Sequence, residues 1–356
     1  MKRSICAVAL LLLALPTPSI AQEDAPNHPL TRLLQAELAR FPAKVGVYVK
    51  HLGTGEEAGV LADEEFDSAS VIKIPIMIRA FQLAERGELD LNQRYEITRA
   101  DLEPGSGIFQ YHDLGATPTL RDLITEMIIT SDNTATRIMV KKVGGVERVN
   151  EWLRVNGYEK TKAGPMEHGY RPILELIDPT FATITVEESH GLIYAAEGSY
   201  LAELYKPLFT GERRKWLDRV SADALNAAFA AYDERPDIWY GTMTPRETGR
   251  MLESIAQSTT MAKEHSDRML AIMRAQQLGA LRIPHFLNVP VAHKTGDGPP
   301  TVANNVGIVY ARSGRIVIAF FTNKNRGPYA DLEDRIGRVA RLIVDYFDGA
   351  SSDGGN

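Results

Sequence analysis

Strand-like patterning stands at the two ends of this chain and almost nowhere between. Val45, Val47 and Val49 alternate along one run, and after the turn Gly53-Thr54-Gly55 a second short run covers 58 to 61. Far downstream, Val306 to Ala311 and Ile316 to Phe321 flank the turn Arg312-Ser313-Gly314. A two-residue period predicts half-buried strands joined as hairpins. From about 71 to 280 the apolar residues follow helical spacing instead, over Leu120 to Ile129, Thr134 to Val143, Val146 to Asn156, Pro245 to Gln257 and Met261 to Ala275. Helices are also expected from Leu30 to Phe41, stopped by Pro42, and at the far end, with Leu332, Ile336, Val339, Ile343 and Phe347 on one face. A lone hairpin is marginal in water, so the distant ends are expected to meet in one sheet. The fold class that follows is α/β in the broad sense, α+β in the strict one. An antiparallel sheet from the N- and C-terminal segments is flanked by helices, an all-helical subdomain is inserted, and a cleft lies at the junction.

This predicts a sheet subdomain over about 29–68 and 280–348 and a helical subdomain over about 69–279. Within the latter, Val186 to Ala196, Tyr200 to Leu208 and Ala222 to Tyr232 suggest an inserted helical segment at about 179–238. Residues 349–356 are small and polar and read as a frayed tail. The opening MKRSICAVALLLLALPTPSIA has Lys2 and Arg3, an apolar run from Ile5 to Leu15, and the small-residue ending Ser19-x-Ala21. This is the pattern of a secretory signal peptide cleaved after Ala21, with an apolar run too short to span a bilayer. Its removal takes Cys6, the only cysteine, so residues 22–356 carry neither disulfide nor thiolate chemistry. The expectation is a secreted or periplasmic monomer without a membrane anchor.

A net charge of -6 speaks against nucleic acid as a partner, because phosphate neutralisation needs a basic face. The eight histidines form no metal-binding spacing, and no glycine-rich phosphate loop is present, so neither metal nor cofactor is expected. His293 reads as a strand residue, and Trp216, Trp239 and Tyr240 as packing in the inserted segment.

Three short motifs carry chemistry. Ser70-Val71-Ile72-Lys73 places hydroxyl and amine three apart, on one helix face and within reach of each other. Ile72, Ile74 and Ile76 leave Lys73 no wet face, and a lysine kept from water favours its amine form, which can take a proton from serine. Ser131-Asp132-Asn133 lies between two helices, where all three side chains suit an N-cap. Lys294-Thr295-Gly296 ends the apolar run Val289-Pro-Val-Ala, just before the turn Gly298-Pro299-Pro300. Each alone has a bland structural explanation; all three together, in this order, do not.

Together they resemble the serine β-lactamase and penicillin-binding protein superfamily, specifically its class A β-lactamases. The likeness runs from about Leu30 to Phe347, and Asn133-Thr134-Ala135, Met243-Thr244-Pro245 and the run from Asn305 to Tyr310 add to it. The resemblance implies a serine hydrolase that opens the β-lactam ring of penicillins and cephalosporins through a Ser70 acyl-enzyme, and so an antibiotic-resistance role. Ser70 would attack, Lys73 would serve as its base and Ser131 would pass a proton to the lactam nitrogen. Asn133 would bind the substrate's side-chain amide, and Lys294, Thr295 and Gly296 its carboxylate end. The backbone N–H groups of Ser70 and Asp297 would form the oxyanion hole, and the acidic side chain at 297 would weaken anionic substrates.

One element of the family pattern is missing. The glutamate that activates the deacylating water sits in an E-x-x-L-N loop, and no such pattern occurs in this chain. Glu167, Glu175 and Asp178 are candidate substitutes, with Glu175 favoured for the stretch Arg171-Pro-Ile-Leu-Glu175-Leu-Ile-Asp178. Without a working base the chain would be a penicillin-binding D,D-peptidase or esterase, or a sensor of β-lactams and cell-wall fragments that holds its adduct.

Overall fold

The computed structural model describes residues 28–349, so the expected signal peptide and most of the expected tail lie outside the described residues. The strands are β1 (Lys44–His51), β2 (Glu57–Val60), β3 (Phe66–Asp67), β4 (Lys162–Ala163), β5 (Gly241–Met243), β6 (Val291–Gly298), β7 (Val302–Ala311) and β8 (Gly314–Asn323). Five of them form an antiparallel sheet in the order β2-β1-β8-β7-β6. The ends of the chain do meet: β1 pairs along its whole length with β8, from Lys44 opposite Asn323 to His51 opposite Ile316.

Helices cover both faces. On one lie α1 (Pro29–Leu38) and α13 (Tyr329–Asp348), whose Leu332, Ile336, Val339 and Ile343 pack with Leu30 and Leu34 onto Val47, Ile318 and Phe320. Burying each such side chain is worth about 1.5 to 3 kcal/mol, so this stripe suffices to seat the last helix. On the other face lies the helical half, centred on α2 (Lys73–Glu85), which is apolar on all sides and correspondingly buried. Around it pack α3 (Leu120–Ile129), α4 (Asn133–Lys142), α5 (Val146–Val155), α11 (Pro245–Gln257) and α12 (Lys263–Arg274). Thr119 caps α3 and receives the Asp122 carboxylate in return.

The two remaining sheet pieces explain the long interruption. β5 pairs with β3 on one side and β4 on the other, Thr242 facing both Asp67 and Lys162. The chain therefore leaves at Gly164 and returns at Tyr240 from paired positions, the Gly164 amide donating to the Tyr240 carbonyl at 2.9 Å. A side chain at 164 would run into the backbone of Trp239 and Tyr240, so this closure requires glycine. Between these points α6 (Arg171–Glu175), α7 (Val186–Ala196), α8 (Ala202–Tyr205), α9 (Arg214–Arg219) and α10 (Ala222–Tyr232) enclose an apolar cluster of their own. Phe181, Leu192, Tyr194 and Tyr205 are at its centre, and Trp216 meets Phe181 edge to face. The excursion opens earlier than the segment from 179 expected from the helical pattern.

Among the described residues no helix is long and apolar enough to cross a membrane, and no cluster of His, Cys, Asp and Glu could hold a metal ion.

Candidate active site

Ser70 stands in a tight turn, Ala69–Ile72, between β3 and α2. The turn begins with Ala69 at a φ of +40°, a strained conformation for a residue other than glycine. Asp67 holds it by accepting the Ala69 amide at 2.9 Å, and Asn304 of β7 donates to the carbonyl oxygens of Asp67 at 2.8 Å and Ser68 at 3.2 Å. The sheet thus fixes the nucleophile's backbone from behind. Ser70 is half-buried, and its hydroxyl makes no hydrogen bond among the described residues.

Lys73 is fully buried, as its apolar neighbours predict. Its ammonium position is fixed by three acceptors: the Ser131 carbonyl at 2.7 Å, the Asn133 side-chain oxygen at 2.8 Å and Ser131 Oγ at 3.2 Å. Burial lowers its pKa to about 7, opposed by the charges of Asp132, Glu103 and Asp297. A primary amine in that range is half free base near neutrality and can accept a proton.

Ser131 itself has a φ of +57°, a second strained non-glycine residue in the same cleft. Asp132 maintains it: one carboxylate oxygen caps α4 by accepting from the Ala135 amide at 2.7 Å, and the other accepts from the amides of Ile108 and Phe109 at 2.7 and 2.8 Å. With its backbone turned this way, Ser131 Oγ lies 3.0 Å from Lys294 Nζ and 3.2 Å from Lys73 Nζ. Lys294 is fully buried too; burial, and secondarily the charge of Lys73, hold it well below the ordinary lysine range.

Lys294-Thr295-Gly296 lies inside β6 rather than at its end, because the ladder with β7 continues to Gly298 opposite Val302. Gly296 is required where β6 crosses the nucleophile turn: a side chain there would approach the Ser68 carbonyl to 2.7 Å. Thr295 Oγ1 is buried without a hydrogen-bond partner. His293 is buried in the strand with Nδ1 3.0 Å from the Asn305 amide nitrogen, and burial, then Lys294, lowers its pKa to about 3, leaving it neutral.

The expected penalty from an anionic residue at 297 is offset in the structure. The Asp297 carboxylate is ion-paired with Arg282 and accepts from the Tyr329 hydroxyl at 2.9 Å. Arg282 is fully buried and also bonds Glu333 at 3.0 Å and the Asn304 carbonyl at 2.8 Å. No local pattern around Leu281-Arg282-Ile283 announced this pair; only the fold brings the two residues together.

Ser131, Asn133, Lys294 and Lys73 are therefore joined in one hydrogen-bonded cluster, three residues beyond Ser70 at Lys73, while Glu175 does not join them. It ends the five-residue α6, whose Ile173 and Leu174 turn into the inserted cluster and carry Glu175 outward to solvent. No hydrogen bond or ion pair links it to Lys73, Ser131 or Asn133. Glu167 is likewise exposed, and Asp178 caps the turn at Thr180 and pairs with Arg219. The segment does reach the site through Tyr170, whose hydroxyl donates to the Pro104 carbonyl at 3.0 Å beside the Asn133 amide.

Comparison with known proteins agrees with this geometry. The sequence profile of the beta-lactamase enzyme family matches residues 29–347. The chain is 28% identical to beta-lactamase VEB-1 of Pseudomonas aeruginosa over 339 residues, covering 92% of this chain and 94% of that one. It is 33% identical to a beta-lactamase of Bacillus licheniformis over 141 residues, 39% of this chain and 43% of the relative. A beta-lactamase structure from Sphaerobacter thermophilus superposes with a TM-score of 0.65 at 23% identity, covering 91% and 98% of the two chains, which is a likeness of fold. With the motif order, the sheet closed by its two ends and the profile match all in agreement, the chain belongs to the beta-lactamase enzyme family.

Proposed function

We propose that this chain hydrolyses β-lactams through an acyl-enzyme on Ser70. The observation that carries the reading is the position of Ser131 Oγ between two buried lysine amines, 3.2 Å from Lys73 and 3.0 Å from Lys294. Ser70 Oγ adds to the lactam carbonyl as its proton passes to Lys73, and the oxyanion is met by the backbone N–H groups of Ser70 and Asp297. One such donor is worth about 3 to 4 kcal/mol in the transition state. When the C–N bond breaks, the nitrogen leaves with the Ser131 proton, which Lys73 replaces. Asn133 receives the substrate's side-chain amide. Lys294 and the unpartnered Thr295 hydroxyl take its carboxylate, because Arg282 is already engaged by Asp297 and Glu333. Water then releases the acyl group.

The reading places the reaction in a cleft between the sheet half and the helical half, with residues 1–21 directing export. Steady turnover of a chromogenic cephalosporin by the purified protein, abolished by Ser70→Ala, is the expected result. A single stoichiometric burst without turnover would replace it with the peptidase or sensor reading.

A further inference from the structure

If Glu175 does not activate the deacylating water, another group must, and the carboxylates around Lys73 can be examined one by one. Three are close enough for their charge to act on Lys73: in order of strength Asp132, Glu103 and Asp297. Asp132 has both oxygens occupied by the amides of Ala135, Ile108 and Phe109. Asp297 is neutralised by Arg282 and Tyr329.

Glu103 differs from both. It is 7% exposed, and its backbone amide donates to Thr134 Oγ1 at 3.0 Å, directly after the Ser131-Asp132-Asn133 motif. The neighbouring loop is fastened to the same motif, Asn133 donating to the Pro104 carbonyl at 2.8 Å and the Asn133 amide to the Ser106 carbonyl at 3.0 Å. Glu103 Oε2 is shared by Arg137 at 3.3 Å and by His190 Nε2 at 3.1 Å. Oε1 makes no hydrogen bond among the described residues. With Oε2 anchored, Oε1 is left free to accept a proton, as a general base must.

His190 comes from α7, in the excursion. It is 1% exposed, and its Nε2 approaches Glu103 without an aligned hydrogen bond, so that a buried polar atom is left without a true partner. Such an atom is costly unless something compensates for it. Tyr170 packs edge to face against the same imidazole, with ring centres 6.2 Å apart, and joins it to the Asn133 side of the cleft.

We propose that Glu103 is the general base of deacylation and that His190, supplied by the inserted segment, is the residue that positions it. The inference rests on the hydrolase reading and adds the release step. Glu103 removes a proton from water as the water oxygen bonds to the acyl carbon. The tetrahedral adduct then breaks its bond to Ser70 Oγ, which recovers that proton, and the product leaves with a new carboxyl group.

The test is intact-mass and stopped-flow measurement of the whole protein mixed with benzylpenicillin, for wild type, Glu103→Gln, Glu103→Asp and His190→Asn. Glu103→Gln is expected still to acylate, to persist as adduct and to lose about 10²- to 10⁴-fold in kcat, with Glu103→Asp intermediate. His190→Asn keeps the base but removes its imidazole support, and is expected to acylate normally while its adduct clears more slowly, a defect confined to deacylation. A folded Glu103→Gln that turns over at the wild-type rate overturns the inference. Should that variant not fold, adduct clearance at the wild-type rate in His190→Asn overturns it. Wild-type protein that forms no adduct at all overturns the hydrolase reading itself, a distinguishable failure.

Discussion

Asp233, at the end of the excursion, accepts a hydrogen bond from the Asn323 amide at 2.5 Å, and the same Asn323 accepts from the backbone of Asp67 at 3.0 Å. The inserted segment is therefore tied, through the last residue of β8, to the residue three before the nucleophile. The second oxygen of Asp233 takes the Lys324 amide at 2.7 Å, locking the end of that strand.

This brace makes a stability prediction. The Asp67 carboxyl has its pKa raised to about 7, first by burial and then by Asp233, against only one backbone donor. A folded-state value above the unfolded one means that the native state holds an extra proton between about pH 4 and 7. Stability therefore falls as pH rises through that window, and the full cost is present above pH 7. Asp67→Asn keeps an acceptor for Ala69 and removes the charge, so it should raise Tm at pH 8 and have little effect at pH 4. The gain is bounded at about 4 kcal/mol by the size of the shift. A variant equally altered at both values would contradict the buried-charge explanation.

Lys73 sets the pH dependence of acylation. Its amine form predominates above about pH 7, so the single-turnover rate with benzylpenicillin should rise through that value and level off. Lys73→Arg keeps a cation that does not deprotonate and should acylate about 10² to 10⁴ times more slowly, without the limb. A flat wild-type profile from pH 6 to pH 9 would remove Lys73 from the role of base.

Arg282 is a structural residue by its contacts. Arg282→Met strips the counter-ion from Asp297 and from Glu333 in one step, and loss of one partner from a buried pair costs about 3 to 5 kcal/mol. Chemical denaturation should show that loss. Combining it with Asp297→Asn should recover part of it, because one of the abandoned charges is gone.

Glu175→Gln should leave both turnover and melting temperature where they were, since exposed positions with no hydrogen bond or close ion pair move stability by no more than about 0.5 kcal/mol. Persistent adduct in this variant would restore Glu175 as the base and overturn the reading of Glu103.

The parts legible in the sequence were those written in local periodicity or short motifs. The pattern over Leu120 to Ile129 and Pro245 to Gln257 has the same bounds as α3 and α11, since each begins at a strong cap, Thr119 and Thr244, and keeps one apolar face. Lys73 could be foreseen as buried from Ile72, Ile74 and Ile76. What escaped was non-local. β3 and β4 are two residues long, too short to show any period, although they set the mouth of the excursion. Glu103 and His190, or Arg282 and Asp297, are ordinary residues in unremarkable surroundings until the fold sets them side by side. The stretch from Arg171 to Asp178 offered an arginine, an apolar core and two carboxylates, but its short helix turns Glu175 outward.

The pairing of β1 with β8 also has a meaning for the chain during its manufacture. The N-terminal hairpin is made first, yet the strand that covers its inner edge ends at Asn323, near the far end of the polypeptide. Until then β1 offers an unpaired, strongly apolar edge, and contacts of such long sequence separation form late. A ribosome that stops short of β8 would release a chain whose helices can be satisfied but whose sheet cannot close. Such truncated products would be prey for proteases and aggregation, so for this protein completeness is itself a condition of solubility.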